Sequence, residues 1–213
     1  MTIRQRVITQ AKKTALLRHR VIALRKQGKN PRVLVKAYHR AKAELVKRRV
    51  ALALARDPRA RLVKYAASFI GVTEHPSGSN GGKFIDGWQK VWGIWRTYWC
   101  GAFAGAMLRH VGVKVTARVV YVPNIKADAQ NGVNGFYAWT TDHSRVRPGD
   151  LVCLFGLEHV EIVRKVTRSG VETIGGNTSF DGNGSQSNGG CVAPKSRPFN
   201  QIDGFALVRI PTS

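Results

Sequence analysis

Apolar positions near the start of the chain repeat at helical spacing. Ile3, Val7, Ala11, Ala15 and Ile22 are separated by steps of four or seven residues, and Leu34, Tyr38, Ala41, Leu45 and Leu52 by steps of three, four or seven. Between the two runs stands Gly28-Lys29-Asn30-Pro31. Glycine there ends one helix, asparagine caps the next and proline occupies its first turn, so the pattern predicts a helical hairpin. A second break falls at Arg56-Asp57-Pro58-Arg59, because proline disfavours helix at the residue before it. The boundary between residues 1–57 and residues 58–213 is placed there.

Past that boundary the pattern becomes mixed. Residues 59–71 read as a short helix, 72–83 as a loop and 100–111, rich in small residues, as a buried helix. Strand patterns follow at 150–155, 159–166, 171–174, 191–194 and 205–210, separated by Gly, Asn and Ser clusters, with a polar loop at 182–190. Helices first and strands afterwards predict an α+β domain in which helices pack on one antiparallel sheet.

Charge sharpens the division. The 213 residues carry 35 Lys+Arg against 12 Asp+Glu, and residues 1–64 alone hold 20 of the basic and 2 of the acidic side chains. So dense a positive region attracts polyanions, whereas a helix face that is merely solvated usually mixes both signs. The predicted hairpin is therefore a basic one, suited to nucleic acid, an anionic membrane or an anionic cell wall. No stretch approaches the length of a membrane span, and the first twenty residues lack the apolar core of a secretory signal, which predicts a soluble chain that starts in the cytosol. Three cysteines argue against a disulfide framework, so each thiol is judged in its own place.

Cys100 lies in Tyr98-Trp99-Cys100-Gly101-Ala102-Phe103, where a turn-like segment gives way to helix. At a helix N-terminus the free N–H groups and the macrodipole favour thiolate, the nucleophilic form, although a buried structural cysteine is the alternative. A nucleophile needs a base. His110 is about 15 Å along the same helix and faces elsewhere. His159 begins Val160-Glu161-Ile162-Val163, an alternating strand whose polar face carries both His159 and Glu161. Asn177, in Ile174-Gly175-Gly176-Asn177-Thr178, stands at a strand end, from which an amide can hold the second ring nitrogen of His159.

In this order the segments resemble the CHAP family, cysteine- and histidine-dependent amidohydrolases and peptidases of papain-like fold. The resemblance covers about Tyr65 to Ile210. It rests on Ile70-Gly71-Val72-Thr73-Glu74, the Ser79-Asn80 loop, Trp99-Cys100-Gly101-Ala102-Phe103, Arg147-Pro148-Gly149-Asp150-Leu151-Val152, His159-Val160-Glu161-Ile162-Val163 and Gly175-Gly176-Asn177-Thr178. It implies a bacterial cell-wall hydrolase with Cys100 as nucleophile, His159 as general base and acid, Asn177 as orienting residue, and substrate contacts from Glu74, Ser79 and Asn80. Two departures stand out. Glu161 replaces the small residue that often follows the His-Val pair, and Gly175 stands where some members carry an orienting glutamate. Glu161 then either shares the orienting role or is a plain surface carboxylate. Some members also bind calcium before the cysteine, but residues 84–99 hold Asp86 as their only acid, so neither a structural metal nor a cofactor is expected.

Trp88, Trp92, Trp95 and Trp99 fall four, three and four residues apart. Such a stripe is core packing, or else it brings Trp95 or Trp99 to the rim of a substrate groove. Cys153, inside an apolar run, reads as a small buried hydrophobe, and Cys191 has no assigned role. The expected protein is an endolysin that cleaves an amide of the peptidoglycan stem peptide or cross-bridge, either as an N-acetylmuramoyl-L-alanine amidase or as an endopeptidase. It would leave the host bacterial cytoplasm for the wall or periplasm after holin-type permeabilisation. Its basic helices would bind anionic wall polymer, lipopolysaccharide or membrane, with no specific nucleic acid as partner. The alternatives are a virion-associated lysin acting during phage entry and a nucleic-acid-binding protein with a dead hydrolase-like domain.

Overall fold

The computed structural model describes residues 1–180 and 184–211, with the backbone alone at Leu54 and Ala55. Gly182 and Asn183 of the polar loop, and Thr212 and Ser213 at the end of the second region, lie outside the described residues. The chain divides into two compact units, residues 1–57 and 58–213.

The first unit consists of α1 (Ile3–Lys26) and α2 (Arg32–Arg56). Thr2 and Gln5 form a reciprocal capping box at the start of α1, and Asn30 Oδ1 accepts the Arg32 N–H at 3.1 Å where α2 begins. Gly28, at φ 68°, takes the left-handed conformation that closes α1. The buried stripe of α1 differs from the expected one. Gln10, Thr14 and Val21 are buried, whereas Ile3 and Ile22 are exposed. Successive steps of four residues each advance about 40° round a helix, so the Ile3–Val7–Ala11–Ala15 row drifts by about 120° and leaves the interface. Polar groups fill part of the seam: Gln10 Nε2 donates to the Ala41 carbonyl at 3.0 Å, and Thr14 Oγ1 donates to the Gln10 carbonyl at 2.8 Å.

The second unit is α+β. Its helices are α3 (Pro58–Ala67), α4 (Lys83–Lys90), α5 (Cys100–His110) and α6 (Val122–Gln130). Its strands are β1 (Phe136–Thr140), β2 (Leu151–Leu154), β3 (His159–Val166), β4 (Gly170–Thr178), β5 (Cys191–Pro198) and β6 (Ile202–Val208). They form one antiparallel sheet in the order β1-β6-β2-β3-β4-β5. Alternation of side chains along each strand separates two apolar layers. Cys153, Val160, Ile162 and Ile174 join Trp99, Phe103, Met107 and Leu108 in the larger core, and Val152, Leu154, Val163, Phe205 and Leu207 form a smaller one. Strand β1 and helices α4 and α6 lie outside the expected elements. Among the described residues no helix is long and apolar enough to cross a membrane.

Asp150 ties these elements together from a fully buried position. Its Oδ1 accepts from Arg59 Nη1 and the Val208 N–H, both at 2.9 Å, and its Oδ2 accepts the Arg147 N–H at 2.8 Å. One side chain thus joins α3, the turn before β2 and the end of β6. Asp150→Ala removes three hydrogen bonds, one of them an ion pair with Arg59, and at about 1 kcal/mol for each the variant is expected to lose about 3 kcal/mol of stability. A shift in the urea midpoint of unfolding measures it, and an unchanged midpoint would refute the role.

Candidate active site

Cys100 is the first residue of α5, with Trp99 as its N-cap. The helix is held by close backbone approach. A Cβ on Gly176 of β4 would lie 2.7 Å from the Trp99 ring and 2.8 Å from Phe103, so glycine at 176 lets the start of α5 rest directly on the sheet. Trp99 is wholly buried, and its Nε1 donates to Glu74 Oε1 at 2.9 Å.

His159 opens β3 and is fully buried beside Cys100. Burial alone would push the Cys100 thiol up. The close approach and positive charge of His159, with the backbone N–H groups of Val160 and Gly101, outweigh burial and hold the thiol below its ordinary value. Burial would likewise lower His159, but the contacts to Cys100 and Glu161 raise it to about 9. Both shifts favour a thiolate facing an imidazolium. Neither ring nitrogen makes an aligned hydrogen bond, the loose geometry common in catalytic pairs before substrate arrives.

Glu161 supplies the carboxylate behind the imidazole. Its Oε1 lies 3.2 Å from His159 Nε2. Arg197 donates from Nη2 to Oε1 at 2.5 Å and from Nε to Oε2 at 3.1 Å, and Thr173 Oγ1 donates to Oε2 at 2.5 Å. Burial would raise this carboxyl, but His159 and Arg197 hold it far below the usual carboxylate range. Gly175 explains how the acid fits. A Cβ there would sit 2.8 Å from Glu161 Cγ and Oε1, so the space beside residue 175 is filled by a carboxylate from the neighbouring strand.

Two sequence expectations need correction here. Glu161 is not a surface carboxylate: it is 1% exposed, because β4 and β5 bring Thr173 and Arg197 over it. Asn177 makes no hydrogen bond to His159. It is buried in the left-handed conformation at φ 59°, and neither its Oδ1 nor its Nδ2 has a hydrogen-bond partner.

The nucleophile opens into a cleft of about 430 Å³ whose lining includes Tyr98, Tyr121, Leu157, Glu158 and Asn188. Glu74 and Asn80 lie instead on a smaller cavity of about 240 Å³, which shares Asn188 with the cleft. Ser79 Oγ accepts the Gly81 N–H at 3.2 Å and shapes that loop. Of the tryptophans, Trp88, Trp92 and Trp99 are core residues, so Trp99 cannot form a groove rim. Trp95 is exposed and carries Arg96 over its ring at 5.3 Å, but lines neither cavity. Burial pushes the Cys153 thiol up and leaves it unreactive, and Cys191 Sγ donates to the Thr178 carbonyl at 2.8 Å.

Thr173, Arg197, Tyr98, Tyr121 and Glu158 had no role assigned from the sequence. Polar alternation on β3 was the one signal that pointed to their neighbourhood. Comparison with protein-family models, curated proteins and solved structures finds no match.

The two candidate orienting residues make different predictions. Glu161→Gln removes two influences that raise His159, so the imidazole should titrate at lower pH, whereas Asn177→Gly, which keeps the left-handed backbone, should leave it where it stands. NMR titration of the His159 ring measures both. A shift on changing Asn177 and none on changing Glu161 would reverse the assignment.

Proposed function

We propose that the chain is a cysteine-dependent amide hydrolase acting on bacterial peptidoglycan, of the CHAP type that its motifs resemble. The observation that carries the reading is the set Cys100, His159 and Glu161: a sulfur at a helix N-terminus that lines an open cleft, an imidazole raised by its neighbours and a buried carboxylate fixed by Arg197.

The chemistry follows from that set. The Cys100 thiolate attacks the amide carbonyl, and the oxyanion is met by N–H groups at the start of α5. The C–N bond then breaks as His159 gives its proton to the leaving nitrogen. Water attacks the resulting thioester while His159 takes a proton from it. The C–S bond breaks, releasing a carboxylic acid and restoring the thiolate. Glu161 keeps the ring oriented and stabilises its charged form throughout.

The basic first unit has a matching role in this reading. It binds an anionic wall polymer, lipopolysaccharide or membrane surface and keeps the hydrolase near its insoluble substrate. The protein acts at the wall or in the periplasm, which it reaches from the host cytoplasm once the membrane has been permeabilised.

Purified walls provide the test. Intact protein should release new amines and carboxyl groups, identified by mass spectrometry, and Cys100→Ala should release none while still sedimenting with the walls in a salt-sensitive way. Digestion by Cys100→Ala, or tight DNA binding with walls left intact by the unaltered protein, would overturn the reading. The pH profile is a second check. The active pair needs a charged imidazole, so kcat/KM should fall as pH rises through about 9, where His159 loses its proton. On the acid side it should fall as Cys100 is protonated, below the ordinary thiol value of 9.0. An alkaline limb near the ordinary histidine value of 6.5 would contradict the ion pair.

A further inference from the structure

Within the site the buried charges cancel: the Cys100 thiolate faces the His159 imidazolium, and Glu161 faces Arg197. One charged group on the cleft has no such counterpart. Glu158 lines the cleft with Cys100, is exposed and makes no ion pair among the described residues. In a chain with a net charge of +23 an unpaired carboxylate beside the nucleophile is unusual.

Its position is built rather than incidental. The turn joining β2 to β3 holds Phe155, Gly156 and Leu157 in succession at φ 59°, 69° and 67°. Two of these are ordinary side chains in a conformation that L-residues disfavour, a feature that persists only where surrounding contacts enforce it. Those contacts are present. Asp203 Oδ2 accepts the Leu157 N–H at 2.9 Å, and the Glu158 N–H donates to the Leu154 carbonyl at 3.1 Å. Glu158 is thus presented one residue before His159 by a turn tied to β6.

The same cleft carries Tyr98 and Tyr121, which are 62% and 60% exposed and so have rings free to meet a ligand. Two accessible aromatic rings and one uncompensated carboxylate are the groups that recognise an ammonium ion, by cation–π attraction and by direct charge pairing. We infer that the cleft binds substrate through a primary ammonium group held by Glu158, Tyr98 and Tyr121, and so selects stem peptides whose diamino acid bears a free amine rather than a cross-link. This rests on the hydrolase reading and adds the substrate feature that the cleft distinguishes.

Two muramoyl tetrapeptides test it, one with a free lysine ε-amine and one with that amine acetylated. The full-length protein should cleave the free-amine peptide with kcat/KM about fivefold higher, mainly through KM, and the preference should shrink as salt rises. Glu158→Gln should bring the ratio close to one. No preference in the unaltered protein, or the same preference in Glu158→Gln, would overturn the inference. Should neither peptide be cleaved, the hydrolase reading fails and calorimetric binding to full-length Cys100→Ala decides this one separately. Tighter binding of the free amine, lost on adding Glu158→Gln, supports it, whereas equal binding of both peptides or binding of neither overturns it.

Discussion

A carboxylate withdrawn from water must be neutralised where it lies, and the arrangement around Glu161 meets that demand. The penalty for burying such a group amounts to several kcal/mol unless charge and hydrogen bonds replace its solvent. Arg197 supplies a two-pronged contact, Thr173 adds a hydroxyl and His159 lies against the remaining side. These partners stand on β3, β4 and β5, so the charge is satisfied only when three strands are in register. A slip by one residue would turn Glu161 to the other face and leave it uncompensated. The imidazole two positions earlier on β3 depends on the same register.

Sheet and helix are brought together by the absence of side chains at two successive positions of β4. Gly175 leaves the space that Glu161 occupies, and Gly176 lets Trp99 and Phe103 approach the strand. Because Cys100 directly follows Trp99, that packing also sets where the sulfur lies. Trp99 is also held by Glu74, which lines the smaller cavity. Nucleophile, imidazole and carboxylate thus depend on one stretch of β4 that contributes no reacting group.

Four of the ten acidic residues of the second unit serve such internal purposes. Among the described residues Glu74, Asp128, Asp150 and Glu161 are buried, and each is bound to a donor: Trp99, Arg118, Arg59 and Arg197 respectively. Acid committed inside leaves the surface correspondingly more basic, which makes the exposed Glu158 stand out. The first unit shows the opposite balance. Its seam is thin and partly polar, with Val21 and Ala41 as its buried apolar residues among the described ones and Ile3, Ile8, Leu16 and Ile22 left at the surface.

Chain periodicity and local chemistry were sufficient for the α+β class, for the start of α5 at Cys100, for β3 beginning at His159, and for the sharing of one strand face by His159 and Glu161. These are local properties, since spacing dictates which face a residue occupies and the break before a helix dictates where its N–H groups lie free. Burial is not local. Whether Glu161 meets water or an arginine depends on residues 12 and 36 positions away, and whether Trp99 faces a groove depends on a glycine in a distant strand. Asn177 was the natural orienting residue as long as only its chain neighbours were visible. The tertiary structure alone decided that a buried carboxylate lies against the ring while Asn177 makes no hydrogen bond to it, because only the packed sheet determines which polar group loses its solvent and must find a partner.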